Sequence, residues 1–252
     1  MYHQTCIMGM PCRINIVHAD GDLSPINLVL NYFREIDDRF SPFRDSSEVS
    51  RINRGELAPE HLSEEMRHIL KLGEQTERET GGYFSLRYQG RLDPCGLVKG
   101  YAINRAAELL RGLGFADFFI DLGGDVQVHG RNDRGTRWSA GIQNPFNPNE
   151  IVKVLQVTDC GVATSGNYLR GQHIYNPVQR RWADDIASLT VIGPNVYEAD
   201  RFATAAFAMG EAGLSFIESL DGFEGYFITR GRRALLTSGF NKFAEIDHAS
   251  SR

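Results

Sequence analysis

The 252-residue chain lacks most of the features that mark common functional classes. Its four cysteines form no C-x-x-C pair, which argues against a zinc knuckle and a disulfide scaffold and predicts reduced thiols. No apolar run approaches the length of a membrane-spanning helix. Basic residues are not in excess, and the formal net charge of −5 argues against nucleic acid or an anionic membrane as the main partner.

Targeting and nucleotide-binding signatures are also missing. Residues 1–8 contain no basic region, long apolar core or cleavage site, which predicts a cytoplasmic protein. The chain has no serine-hydrolase elbow, P-loop or metal-ligating histidine cluster. A simple βαβ dinucleotide fold is disfavoured, because no strand–G-x-G-x-x-G–helix unit lies near the start.

Hydrophobic periodicity predicts helices and strands in irregular order. Apolar residues at three- and four-residue spacing predict helices at 25–40, 62–80, 97–113, 197–209 and about 214–220. Extended patterns predict strands at 7–17, 83–86, 118–122, 126–128, 138–142, 151–157, 161–166, 186–192, 226–229 and 234–237. Without regular β–α alternation, the predicted class is α+β or mixed α/β. We expect one domain over residues 1–252, with a core at about 6–243 and a loose tail at 244–252.

The first candidate site is the turn that leads into the helix at 97–113. Asp93 and Pro94 end an extended run, Gly96 permits close backbone approach, and Lys99 lies where the helix begins. Free amides, the positive end of the helix dipole and the lysine charge together outline an anion site. Glycine-rich turns between strands and helices are common, so an ordinary structural turn is the competing interpretation.

The second candidate site is the helix that contains Asp200 and Thr204. The two residues are four apart, so both oxygens project from one helix face. A carboxylate with a hydroxyl is a hard-oxygen pair suited to Mg²⁺, which keeps few protein ligands. The alternative is an aspartate in the first turn that offsets the helix dipole, with Thr204 simply packed.

The third candidate site lies between residues 164 and 177. Thr164 and Ser165 carry small hydroxyls that could hold a phosphate or a flavin edge, and His173 could serve as a base or be a structural histidine. A separate tight turn at 121–125 follows a predicted strand, and its two glycines serve either the backbone geometry or the close approach of a ligand. Taken together, these patterns indicate a Mg²⁺-bound diphosphate.

The order of these motifs is more specific than any one of them. Eight occur in sequence: Ile7-Met-Gly-Met-Pro, Phe40-Ser-x-Phe with Asp45-Ser46 and Asn53, Gly82-x-Phe84, Asp93-x-x-Gly-x-x-Lys-Gly-Tyr101, Leu122-Gly-Gly-Asp125, Thr164-Ser-Gly166, His173-Ile-x-x-Pro177 and Ala199-Asp-x-x-x-Thr204. In this order they resemble the ApbE family, the FAD:protein FMN transferases. The resemblance extends from about Met8 to Gly210 and more loosely over the final hairpin.

The resemblance implies a mixed α/β fold of two fused subdomains with a flavin cleft between them. It implies Mg²⁺-dependent transfer of FMN from FAD to a Thr or Ser hydroxyl of a target flavoprotein, with release of AMP. In this chain His173 would be the base, while Lys99 and Asp200 would also be catalytic. The implied Mg²⁺ ligands are the Gly96 carbonyl, Asp200 and Thr204. The implied FAD-binding residues are Met8, Phe43, Tyr83, Phe84, Ser85, Asp93, Lys99, Thr164, Ser165 and Ile174, with Tyr175 an alternative to Ile174.

Two residues depart from the family pattern. Ser85 and Asn176 stand where aspartates are usual, so negative charge near the implied metal site is reduced, and the connection from Tyr88 to Asp93 is short. Two further functions therefore stay open. One is a Mg²⁺-dependent FAD pyrophosphatase that yields FMN and AMP, and the other is an FAD-binding protein without catalytic activity.

Overall fold

A computed structural model of the chain describes residues 1–19, 21–167, 171 and 174–244. Its helices are α1 (Ser24–Phe40), α2 (Glu48–Asn53), α3 (Glu64–Glu79), α4 (Cys95–Gly112), α5 (Val196–Met209) and α6 (Ala212–Glu218). Its strands are β1 (Tyr2–Ile7), β2 (Met10–Ile16), β3 (Arg87–Tyr88), β4 (Arg91–Leu92), β5 (Phe118–Leu122), β6 (Asp125–His129), β7 (Trp138–Asn144), β8 (Asn147–Val157), β9 (Cys160–Gly166), β10 (Tyr175–Asn176), β11 (Arg181–Trp182), β12 (Ile186–Gly193), β13 (Glu224–Thr229) and β14 (Ala234–Leu236).

An eight-stranded antiparallel sheet organises the fold, in the order β1-β2-β5-β6-β9-β12-β13-β14. The pairs β3–β4, β7–β8 and β10–β11 form separate hairpins. Helices packed on an antiparallel sheet confirm the predicted α+β class.

The two faces of the sheet differ, as the side chains of β6 illustrate. Val126 and Val128 pack with Trp138 of the β7–β8 hairpin on one face. Asp125 and Gln127 point to the other face, where they contact α4 and α5. Polar side chains of a central strand are therefore buried beneath two helices, which is where the candidate site is built.

Glycine brings α4 and α5 into close contact. A Cβ on Gly100 would lie 2.7 Å from Asp200 Cβ and 2.9 Å from the Val196 carbonyl oxygen. Glycine within a helix is unfavourable by itself, so its use here serves the close approach. At the start of α5, Asn195 accepts the Glu198 N–H at 2.9 Å and Gln127 Oε1 accepts the Val196 N–H at 2.8 Å. The first hydrogen bond caps α5, and the second joins the start of α5 to β6.

Substitution of Gly100 by alanine is expected to destabilise the fold by about 1–3 kcal/mol, because the added methyl group overpacks the α4–α5 contact. Gly112→Ala is the matched control in the same helix, since a Cβ there meets nothing within 4 Å. Urea unfolding of both variants measures the difference. Equal free energies of unfolding for the two variants would show that α4 and α5 can move apart without a loss of stability.

Several predicted boundaries need correction. Residues 83–86 were predicted as a strand but form a turn after α3, where Thr80 Oγ1 accepts the Phe84 N–H at 3.2 Å. The N-terminal strand pattern at 7–17 is part of a hairpin that begins at Tyr2 and turns at Met8 and Gly9, both with positive φ. Ala244, placed in the predicted loose tail, forms a bridge with Leu155, and the remainder of that tail lies outside the described residues.

Candidate functional site

Lys99, Asp125 and Asp200 form a buried charged cluster between α4, α5 and β6. Lys99 Nζ lies 2.5 Å from Asp125 Oδ2 and 3.8 Å from Asp200 Oδ1. The remaining carboxylate oxygens accept backbone N–H groups: Asp200 Oδ2 from Gly100 at 2.9 Å and Asp125 Oδ1 from Thr164 at 3.0 Å. The cluster therefore ties both helices to β6 and β9.

This cluster contains two carboxyl groups and one ammonium group, so negative charge is in excess when both carboxyl groups are ionised. Burial raises the pKa of Asp200, and the Asp125 carboxylate raises it further, while Lys99 opposes the shift. A carboxylate withdrawn from water gains from an additional positive charge. Asp200 is thus suited to bind a cation.

The neighbouring oxygen donors fit a hard cation such as Mg²⁺. Thr204 faces Gly96 across the helix contact, with its Oγ1 3.8 Å from where a Gly96 Cβ would lie, just as Asp200 faces Gly100. A hydroxyl and a carboxylate one helical turn apart therefore stand opposite the start of α4, where the Gly96 carbonyl is a third oxygen. The described residues include no group of three or more His, Cys, Asp or Glu side chains arranged to hold a metal. A bound Mg²⁺ would need water or phosphate to complete its shell.

Three of the predicted FAD-binding residues lie in the turn that follows α3. Phe84 is buried, and its ring lies 3.4 Å from where a Gly96 Cβ would be. Tyr83 packs against the apolar cluster around α5, and Ser85 Oγ accepts the Arg87 N–H at 3.1 Å. The turn therefore flanks the metal-binding candidates at the start of α4.

Lys99 and Asp93 are held differently at the start of α4. Lys99 takes part in the buried cluster, with a side chain 16% exposed. Asp93 is exposed, and its carboxylate accepts the Cys95 N–H at 3.1 Å. Asp93 thus stabilises the first turn of α4 and leaves its other oxygen open to solvent or ligand.

Other predicted site residues are farther from the cluster or point away from it. Phe43 is 90% exposed in the loop after α1, while Met8 packs at the turn between β1 and β2. The Thr164 hydroxyl forms a hydrogen bond of 2.9 Å with the Thr190 hydroxyl, and both lie on the sheet face opposite α5. Only its backbone N–H reaches Asp125.

The predicted residues after β9 are only partly described. Ser165 is buried on the helix-facing side of β9, and Ile174 packs in the apolar cluster that includes α5. His173, the predicted base, lies outside the described residues. Asn176, which departs from the family pattern, is buried and donates its side-chain N–H to the Ala208 carbonyl at 2.6 Å. It therefore holds the β10–β11 hairpin to the end of α5.

Arg201 was missed by the sequence reasoning. This buried side chain ion-pairs with Glu198 at 2.5 Å and with Glu79 of α3, and its guanidinium lies 3.9 Å from the Phe202 ring centroid. It joins α5 to the end of α3, next to the turn with Tyr83. The partner Glu79 is 122 residues away in sequence, so no local pattern indicates the pair.

Two open surface depressions lie away from the charged cluster. One, of about 430 Å³, is lined by Glu74, Glu77, Arg78, Gly81 and Gly82. The other, of about 490 Å³, lies between α1, α2 and α3. Chemistry and burial, rather than cavity size, therefore identify the candidate site.

Comparison with known proteins agrees with the order of motifs and with the fold. A family model described as the ApbE family matches residues 8–90 and 85–227. The chain belongs to the ApbE family. A Haemophilus influenzae protein named FAD:protein FMN transferase is 24% identical over 204 residues, which are 75% of this chain and 58% of that protein. The chain therefore spans less than two thirds of this relative's length.

Solved ApbE structures share the fold. The flavin transferase ApbE from Vibrio cholerae has a TM-score of 0.82 at 19% identity, covering 96% of this chain and 98% of that one. The ApbE protein from Thermotoga maritima has a TM-score of 0.84 at 19% identity, covering 97% and 99%.

Within the described ranges of this ApbE chain, no helix has both the length and the apolar character needed to cross a bilayer.

Proposed function

We propose that this ApbE chain transfers FMN from FAD to a Thr or Ser hydroxyl of an acceptor flavoprotein, releases AMP, and requires Mg²⁺. The observation that supports this most is the buried cluster of Lys99, Asp125 and Asp200 beside the oxygen donors of Gly96 and Thr204. A lysine and a cation-binding carboxylate are what cleavage of a diphosphate needs, because charge develops on its oxygens.

The proposed reaction exchanges one phosphorus–oxygen bond for another. The acceptor oxygen bonds to the phosphorus on the FMN side, the bond from that phosphorus to the bridging oxygen breaks, and AMP leaves with the electron pair. His173 would take the proton of the acceptor hydroxyl. Lys99 would neutralise diphosphate oxygens, since it has the most exposed side chain of the cluster.

The chain's own oxygens define the proposed metal site. Asp200, Thr204 and the Gly96 carbonyl would hold Mg²⁺, which when bound neutralises charge on the phosphate oxygens. Phe84 and Tyr83 would form an apolar wall beside the flavin, consistent with their packing near Gly96 and α5. We extend the proposal to residues 1–252 acting as one domain, because the sheet joins strands from both ends of the chain. The cytoplasmic location stays a prediction.

Incubation with FAD and Mg²⁺, with and without an acceptor domain that carries a candidate Thr, tests this function. Nucleotides are followed by chromatography and the acceptor by mass spectrometry. We expect AMP and an acceptor mass gain equal to FMN, both lost with EDTA. FMN and AMP without acceptor modification would contradict transfer in favour of hydrolysis, and intact FAD would contradict both.

A further inference from the structure

The hairpins β3–β4 and β10–β11 meet through three aromatic side chains. The ring centroid of Tyr88 lies 4.8 Å from that of Tyr175 and 5.0 Å from that of Trp182, and those of Tyr175 and Trp182 are 5.7 Å apart. All three side chains are partly exposed. The first hairpin leads directly to Asp93 and α4, and the second follows Ile174. The ring contacts therefore join two segments that carry predicted site residues.

Four exposed arginines stand on these hairpins: Arg87, Arg91, Arg180 and Arg181. Arg181 pairs with Asp185 at 2.6 Å, whereas the other three form no ion pair in the described part of the chain. Arg91 is paired with Tyr88 in the β3–β4 register, so its side chain lies on the same face of the hairpin as the Tyr88 ring. Although the whole chain has a formal net charge of −5, the hairpin residues 87–92 and 175–182 contain these four arginines and no aspartate or glutamate.

An exposed apolar residue extends the same surface. Val178, in the turn between β10 and β11, is 52% exposed, and its Cγ2 lies 3.7 Å from where a Gly82 Cβ would be. The turn thus reaches the segment that continues into Tyr83. We call the exposed surface of the β3–β4 and β10–β11 hairpins the basic rim.

We propose that the basic rim docks an acidic segment of the acceptor protein and so brings the acceptor hydroxyl to the site; this rests on the proposed function. Arginine, tyrosine and tryptophan are the side chains most enriched at the centres of protein interfaces. Unpaired arginines attract an acidic partner from solution and orient it. The three rings already contact one another, and two of the three pairs are edge to face. They therefore do not form two parallel rings between which a flavin or adenine could stack.

Labelled synthetic peptides test the proposal directly. Each has a central Thr, flanked by aspartates, by lysines or by serines, and binding to the full chain with FAD and Mg²⁺ is measured by fluorescence anisotropy. We expect the aspartate peptide to bind best and to weaken as salt is raised. Arg87→Glu/Arg91→Glu should weaken it by about tenfold or more and shift the preference to the lysine peptide.

The control variant is Arg134→Glu/Arg137→Glu. It makes the same charge change at two exposed arginines between β6 and β7, away from both hairpins. It should leave the peptide affinities near those of the parent.

Three results would overturn the docking proposal. The first is an equal loss of aspartate-peptide binding in both double variants, and the second is a lower FAD affinity in Arg87→Glu/Arg91→Glu. The third is tighter binding of a single-stranded oligonucleotide than of the aspartate peptide. AMP release and the acceptor mass gain, measured with the acceptor domain present, separate this proposal from the proposed function. If neither is observed but binding of the aspartate peptide still depends on the rim arginines, the transferase proposal fails and the docking surface stands.

Discussion

Replacement of Asp200 by asparagine is expected to abolish Mg²⁺-dependent release of AMP from FAD while the fold stays intact. The amide has the size of the carboxylate, and its oxygen can still accept the Gly100 N–H that Asp200 accepts at 2.9 Å. It lacks the negative charge that a divalent cation requires. We expect turnover at saturating FAD to fall by at least about 10²–10³-fold, as when a group that stabilises transition-state charge is removed.

The same substitution should leave the metal-free protein as stable as the parent, or more stable, at neutral pH. Because burial raises the pKa of Asp200, the folded state holds this proton more tightly than the unfolded chain does. The free energy of unfolding therefore falls as the pH rises above the pKa that Asp200 has in the unfolded chain, because the buried carboxylate becomes ionised. Asparagine has no such charge, so its advantage in thermal unfolding with EDTA should grow from about pH 5 to about pH 8.

Asp221→Asn is the matched control, since it makes the same change at an exposed position. It should alter neither turnover nor the pH dependence of unfolding. Full Mg²⁺-dependent turnover in Asp200→Asn would show that Asp200 is not a ligand of the metal. A large loss of stability in that variant at both pH values would show that the carboxylate is structural.

The parts of the site that lie within one helix could be predicted from the sequence. Asp200 and Thr204 share a face of α5 because they are four residues apart, and Gly96 and Lys99 lie within the first five residues of α4. Strong apolar periodicity likewise located α1, α3, α4 and α5 to within a few residues. Hydrogen bonds and packing in a helix depend on near neighbours in sequence, so a local pattern suffices.

Features set by distant partners could not be predicted in this way. Asp125 looked like the end of a glycine turn, and the packing of α4 against the antiparallel pair β5–β6 brings it to Lys99. The two-residue strands of β3–β4 and β10–β11 are too short for a periodic pattern, and the contact between Tyr88 and Trp182 joins them. Tertiary contacts, rather than local propensity, determine these parts.

Replacement of Lys99 by methionine is expected to weaken both the fold and the reaction. It leaves Asp125 and Asp200 buried side by side without their shared cation, and loss of one partner from a buried charged group costs about 3–5 kcal/mol. Lys99 also lowers the pKa of Asp200, so without it that pKa rises further and the loss of stability should be greater at about pH 8 than at about pH 5. Turnover should fall by about 10²–10³-fold.

A second substitution separates the two effects. In Lys99→Met/Asp125→Asn both members of the closest ion pair become uncharged, so urea unfolding should recover most of the lost stability, whereas AMP release should stay low because the diphosphate still lacks its lysine. Lys71→Met, at an exposed position of α3, is the control for loss of one positive charge. Recovery of turnover together with stability would mean that Lys99 only balances the buried carboxylates. Recovery of stability alone would place its ammonium group in the reaction.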